Sequence, residues 1–148
     1  NILVVTSQQY GDLVKEHLPE IPVENILLEP YRRNTAPCIA YAASKIYYKN
    51  QNATMVITPS DHYITNETLY LKTISAALDH AVTHDDLFTL GIQPTRPETA
   101  YGYIQKEMND SKNINGHIAY NVKTFTEKPS HEMAKVLVDS GEFLWGED

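Results

Sequence analysis

Ile2-Leu3-Val4-Val5-Thr6 is a continuous apolar, β-branched run without polar alternation. That is the pattern of a strand covered on both faces, which an α/β sheet flanked by helices provides. The segments that follow suit such a sheet. Gln9–Leu18 reads as a helix ended by Pro19, and Ile26-Leu27-Leu28 is a second short apolar run. A clear amphipathic helix starts at Asn34 or Thr35, either of which can cap it, with Pro37 tolerated in the first turn. Its apolar stripe is Ala36, Ile39, Ala40, Ala43, Ile46 and Tyr47. Met55–Thr58 reads as a strand stopped by Pro59, and Glu67–His84 as a helix with Ile74, Ala77, Leu78, Ala81 and Val82 on one side. This alternation predicts a doubly wound α/β fold.

The second half is more polar. Leu87–Leu90 and Gly102–Lys106 read as strands around the Pro-rich turn from Gln93 to Glu98, and Met108–Gly116 reads as a loop. Val122–Thr126 reads as a strand, followed by a helix capped by Ser130 that runs to about Asp139 and stops near Gly141. These later strands are expected to extend the sheet in a mixed way.

At 148 residues, with 42% apolar and 21% charged residues, the chain is long enough for one buried core. A net charge of −7 argues against nucleic-acid and anionic-membrane partners, both of which attract basic surfaces. An anionic small molecule is still compatible, because a few placed Arg and Lys residues offset the global field locally. No apolar run reaches the ~18 residues of a membrane span and no signal peptide is visible, so the expected location is cytoplasmic. Cys38, the one cysteine, fits no zinc spacing and reads as a small core residue.

Three groups of residues have the makings of chemistry. Pro59-Ser60-Asp61-His62 directly follows an expected buried strand, where ligands bind in open α/β sheets. Asp61 there suits either Mg²⁺ held against phosphates or an ordinary turn cap. His62 has no second His or Cys at ligand spacing and reads as a wall residue. Arg32-Arg33-Asn34-Thr35-Ala36-Pro37 is a cationic turn feeding a helix N-terminus, suited to an anion or a base edge, or simply a capped helix with solvated arginines. Glu127-Lys128-Pro129 pairs a hydroxyl acceptor with a phosphate-binding cation, or is a surface ion pair.

Taken together the motifs are specific. Glu29-Pro30-Tyr31-Arg32-Arg33-Asn34-Thr35-Ala36-Pro37, Pro59-Ser60-Asp61-His62, Gly91 to Thr99 with Tyr101-Gly102-Tyr103-Ile104, Val122 to Pro129, and Ser140-Gly141 through Leu144-Trp145 occur in this order. The set resembles the sugar-nucleotide pyrophosphorylases of the mannose-1-phosphate guanylyltransferase type. The resemblance implies a doubly wound, mostly parallel Rossmann-like sheet, incomplete here, with residues 1–148 forming the central part of a single nucleotidyltransferase domain. It implies that GTP and mannose 1-phosphate give GDP-mannose and pyrophosphate. Arg33, Asn34, Thr35 and Ala36 would line the base pocket, and Asp61 would hold Mg²⁺. Tyr101 and Gly102 would meet the sugar, with Gly102 admitting a close approach of backbone. Glu127 would bind sugar hydroxyls and Lys128 the sugar phosphate, making Asp61 and Lys128 the catalytic residues.

The chain departs from that pattern in places. The Gly-rich phosphate loop expected upstream of Asn1 and a second metal-binding Asp expected downstream both fall outside the 148 residues, so a piece of a longer enzyme is expected. Ala100 stands where the family usually has Gly, and Gly146-Glu147-Asp148 where it continues from Trp with Asn. Rival readings are a pyrophosphorylase for another base or sugar, and a non-catalytic sugar-nucleotide-binding module. Ile2–Thr6 would be the second strand of the sheet, lacking a central neighbour, so a chain of this length alone is expected to be unstable or to borrow a strand from another copy in a homo-oligomer.

Overall fold

The computed structural model describes residues 1–31 and 33–146. Arg32 of the cationic turn, and Glu147 and Asp148 at the departure from the family pattern, lie outside the described residues. The chain divides into two compact units, Asn1–Thr58 and Pro59–Asp148.

In the first unit β1 (Val4–Ser7) leads through a 3₁₀ turn into α1 (Gly11–His17) and on to β2 (Ile26–Glu29). The two strands pair in parallel, with Val4 opposite Ile26 and Ser7 opposite Glu29. A parallel pair needs such a crossover, and the apolar runs supply its strands. α2 (Thr35–Lys49) follows. Its inward stripe is Cys38, Ile39, Ala42, Ala43 and Ile46, of which Ala42 is buried. Ala36, Ala40 and Tyr47, expected on that stripe, are exposed instead. Met55–Thr58 forms no strand, and Val56 and Ile57 are exposed. The run has a strand's composition, but no described neighbour supplies the ladder that would hold it extended.

The second unit holds α3 (Glu67–Ala81), whose first turn is capped by Asn66 Oδ1 accepting from Leu69 N–H at 3.0 Å. Ala76 is its buried position, while Val82, expected on the buried side, is exposed just beyond its end. Leu87–Leu90 is likewise not a strand, and Leu87 is fully exposed. The expected pairing is reduced to one bridge farther on, where Ile92 and Trp145 exchange backbone bonds of 3.0 and 2.8 Å.

The largest departure from expectation is the segment read as a polar loop. β3 runs from Gly102 to Ile114 and β4 from His117 to Glu127, as one long antiparallel hairpin. Asn115 and Gly116 form its tip with φ of 50° and 89°. Two successive left-handed residues are what a tight hairpin turn requires, and Asn-Gly accepts them at little cost. The register breaks between Lys106 and Ser111, which absorbs the polar stretch as an exposed bulge.

α4 (His131–Ser140) begins and ends where its capping residues predict. Ser130 Oγ accepts from Met133 N–H, and Gly141 closes the helix in the left-handed conformation at φ 71°. β5 (Phe143–Gly146) then pairs antiparallel with β3, giving the order β4-β3-β5. Tyr103, Ala134, Leu137, Phe143 and Trp145 make the core of this unit, with Val138 packed on it.

Candidate active site

Of three described non-glycine residues with positive φ, one is the hairpin tip and the others are Asn34 and Lys128. Both are residues that the motifs single out. A residue held in such a region costs of order 1–3 kcal/mol and persists where the surroundings over-determine it, commonly at ligand sites.

In the first unit Asn34 has φ 66° and ψ −170°, a conformation nearly reserved for glycine. It occupies the position before α2, yet its side chain makes no capping bond. Of the two capping residues expected, Asn34 takes the N-cap position without a side-chain bond and Thr35 is the first residue of the helix. Arg33, Asn34, Thr35 and Ala36 are all exposed at the start of a 15-residue helix. Asn34→Gly is expected to raise stability by about 1 kcal/mol, the strain relieved less the entropy glycine adds to the unfolded chain. Thermal melting of the two proteins checks this, and a lower midpoint for the variant would contradict the strain.

Cys38, in the same helix, is half-buried. Burial and, second, the Glu29 carboxylate push its thiol pKa up. A hollow of about 500 Å³ bounded by β2 and α2 contains none of the residues singled out by motif.

In the second unit four of them are brought together. Gly102 pairs with Glu127 across the β3–β4 ladder, and Lys128 N–H donates to the Tyr101 carbonyl at 3.3 Å. The strand ends thus hold Tyr101, Gly102, Glu127 and Lys128 in one patch. Lys128 Nζ lies 3.0 Å from Glu127 Oε1, with both side chains about half-exposed. Pro129 is buried immediately behind them and fixes the exit. Asp61 is exposed on a turn after Pro59. Among the described residues no group of three or more His, Cys, Asp or Glu side chains could hold a metal by itself.

The turn leading into Gly102 is built by residues to which the sequence reading gave no role. Glu98 Oε1 accepts from the N–H groups of Thr99 at 2.9 Å and Ala100 at 3.3 Å, while Arg96 Nη2 donates to Oε2 at 3.2 Å. The amides of Ala100 and Thr99, then the Arg96 guanidinium, hold the Glu98 carboxyl below the usual range. The Arg96 guanidinium also lies 5.6 Å from the centre of the Trp145 ring, which meets Tyr101 edge-on at 5.2 Å. Glu98 and Tyr103 stood inside the recognised motif. No spacing along the chain marked their pairing, since Gly102, Tyr103 and Ile104 are all buried and show no alternation.

Comparison with known proteins decides the family, because the sequence profile described as nucleotidyl transferase matches residues 1–148, the whole chain. The chain belongs to the nucleotidyl transferase family. It is 40% identical over 97% of its length to a mannose-1-phosphate guanylyltransferase of Salmonella montevideo, and 37% identical over 97% to one of Klebsiella pneumoniae. It spans 30% of the length of each of these relatives. Among solved structures it resembles one described as a mannose-1-phosphate geranyltransferase from Thermus thermophilus, with a TM-score of 0.75 at 26% identity. That match covers 97% of this chain and 39% of the other. A mannose-6-phosphate isomerase from Helicobacter pylori matches with a TM-score of 0.73 at 30% identity, over 97% of this chain and 53% of that one. The chain has the α/β architecture with a parallel strand pair that its apolar runs predict.

Proposed function

We propose that residues 1–148 are the central part of a single nucleotidyltransferase domain that makes GDP-mannose and pyrophosphate from GTP and mannose 1-phosphate. The observation that carries this reading is the patch at the ends of β3 and β4. There Glu127 is an acceptor suited to sugar hydroxyls, Lys128 a cation suited to phosphate, and the Lys128–Tyr101 backbone bond ties both to the turn before Gly102. The names of the relatives supply the sugar and the base.

In the reaction an oxygen of the sugar phosphate attacks the α-phosphorus of GTP. The bond from that phosphorus to the oxygen bridging to the β-phosphate breaks, and pyrophosphate leaves with the electron pair. Two polyanions must meet, so positioning and charge neutralisation are the protein's tasks. Lys128 holds the sugar phosphate, Glu127 orients the sugar, and Gly102 allows backbone to lie close to it. Arg33, Asn34, Thr35 and Ala36 contact the nucleotide base. Asp61, exposed on its turn, suits Mg²⁺, which is commonly bound by one or two carboxylates together with substrate phosphates rather than by an all-protein cage. When bound there, Mg²⁺ would supply charge neutralisation on the phosphates.

The reading takes the enzyme as cytoplasmic, without nucleic-acid or membrane partners. A net charge of −7 weighs against nucleic-acid and anionic-membrane partners, and no helix of the described residues is long and apolar enough to cross a membrane. The test is to incubate the full-length protein with GTP, mannose 1-phosphate and Mg²⁺ and measure both products, with other nucleotides and sugar phosphates as competitors. Formation of GDP-mannose in preference to other products is expected. Binding of the sugar phosphate without turnover would favour a binding module, and preference for another pair would reassign the substrates.

A further inference from the structure

We propose that the Tyr103 hydroxyl, acting with the Glu98 carboxylate, is the device that positions the turn Thr99–Gly102 for the sugar phosphate. The inference rests on the assignment of Tyr101, Gly102, Glu127 and Lys128 to that substrate. Tyr103 is fully buried, its ring set in the core with Ala134, Leu137, Phe143 and Trp145. Its hydroxyl reaches out of that core and uses both its capacities on one residue. It donates to the Glu98 carbonyl at 2.9 Å and accepts from the Glu98 N–H at 2.9 Å. A rigid post in the core therefore fixes the backbone of Glu98 from below.

The side chain of Glu98 then continues the chain of hydrogen bonds forward. Its carboxylate takes the Thr99 and Ala100 amides and is itself held by Arg96. Farther along the turn the Tyr101 carbonyl accepts from the Lys128 amide. Each of these backbone groups between residue 98 and the sugar-facing patch is thus set by a partner whose own place is fixed, which is how a loop acquires a single conformation. Ala100 at the position the family usually gives to Gly fits a turn held by its neighbours.

Because the turn contacts ground state and transition state alike, its loosening should appear in KM rather than kcat. Tyr103→Phe keeps the ring and removes only the hydroxyl. In the full-length protein it is expected to raise the KM for mannose 1-phosphate about tenfold, the order set by leaving both Glu98 backbone groups without their buried partner. The KM for GTP and kcat should stay within about twofold. Glu98→Ala should reproduce this pattern, whereas Glu98→Gln, which keeps an oxygen acceptor for the two amides, should restore most of the affinity. Hydrogen exchange at Thr99 and Ala100 should quicken in Tyr103→Phe and Glu98→Ala while the β3–β4 ladder stays protected.

An equal change in all three kinetic constants, or unchanged exchange at Thr99 and Ala100, would overturn the positioning role. If the wild type turns over a different sugar phosphate, the substrate assignment fails while the latch is confirmed by the same KM split on that substrate. If the wild type binds no sugar phosphate at all, the assignment and the latch's role fall together, and unchanged exchange in the variants is what removes the latch alone.

Discussion

Asp61→Asn is expected to fold like the parent protein and to lose at least about two orders of magnitude in kcat, the scale of removing one well-placed electrostatic stabiliser. The substitution keeps the side chain's size and removes its charge. Asp61 is exposed on the turn that follows Pro59, outside the core of its unit. Its replacement should therefore change stability by no more than about 0.5 kcal/mol. The chemistry is more sensitive, since the proposed reaction brings a sugar phosphate against a nucleoside triphosphate. The carboxylate that would hold Mg²⁺ among those phosphates is the group being neutralised. Steady-state kinetics across a Mg²⁺ titration should show both the fall in kcat and a need for more metal. Parent-level turnover with an unchanged Mg²⁺ dependence would remove Asp61 from the site.

What the sequence discloses here follows how local each determinant is. α4 is legible at both ends because Ser130 and Gly141 act within one turn of themselves, and both do in the structure what their chemistry predicts. β1 and β2 are legible because a continuous apolar run has few other uses in a parallel pair. Met55–Thr58 and Leu87–Leu90 have equally suitable composition, but a strand exists only with a partner, and none of the described residues gives them a ladder. The β3–β4 hairpin was legible at its open end, where Gly102–Lys106 and Val122–Thr126 are strands as read, and was missed toward its tip, where Met108–Gly116 was read as a loop. Asn115-Gly116 is a strong local turn signal, but the polar bulge before it masked the alternation that would have marked a strand.

The candidate site divides along the same line. Motif residues were readable one by one, and their backbone strain at Asn34 and Lys128 was not, because φ is set by tertiary surroundings. The Tyr103–Glu98 pairing was also hidden, since it depends on the core behind the strand rather than on spacing along it.

Lys128 offers the second large effect, because its charge and its backbone can be separated. Its ion pair with Glu127 is half-exposed, and such pairs contribute about 0–1 kcal/mol. Its φ of 42° is unfavourable for any residue with a Cβ, and a residue so held costs of order 1–3 kcal/mol. Lys128→Ala keeps that backbone penalty and removes the ammonium, whereas Lys128→Gly removes both. Each variant should raise the KM for mannose 1-phosphate by about 10- to 100-fold, the range for losing a hydrogen bond to a charged group. If the contact tightens as charge redistributes in the transition state, the loss moves into kcat. In both the KM for GTP should hold steady. The glycine variant should melt higher than the alanine variant by a few degrees, since only it relaxes the turn. Lys128→Arg should recover part of the affinity through its retained charge, less what its planar fork cannot reproduce of a compact ammonium. A change confined to the KM for GTP would assign Lys128 to the nucleotide instead, and equal melting of the two variants would show that the strain is not borne at this residue.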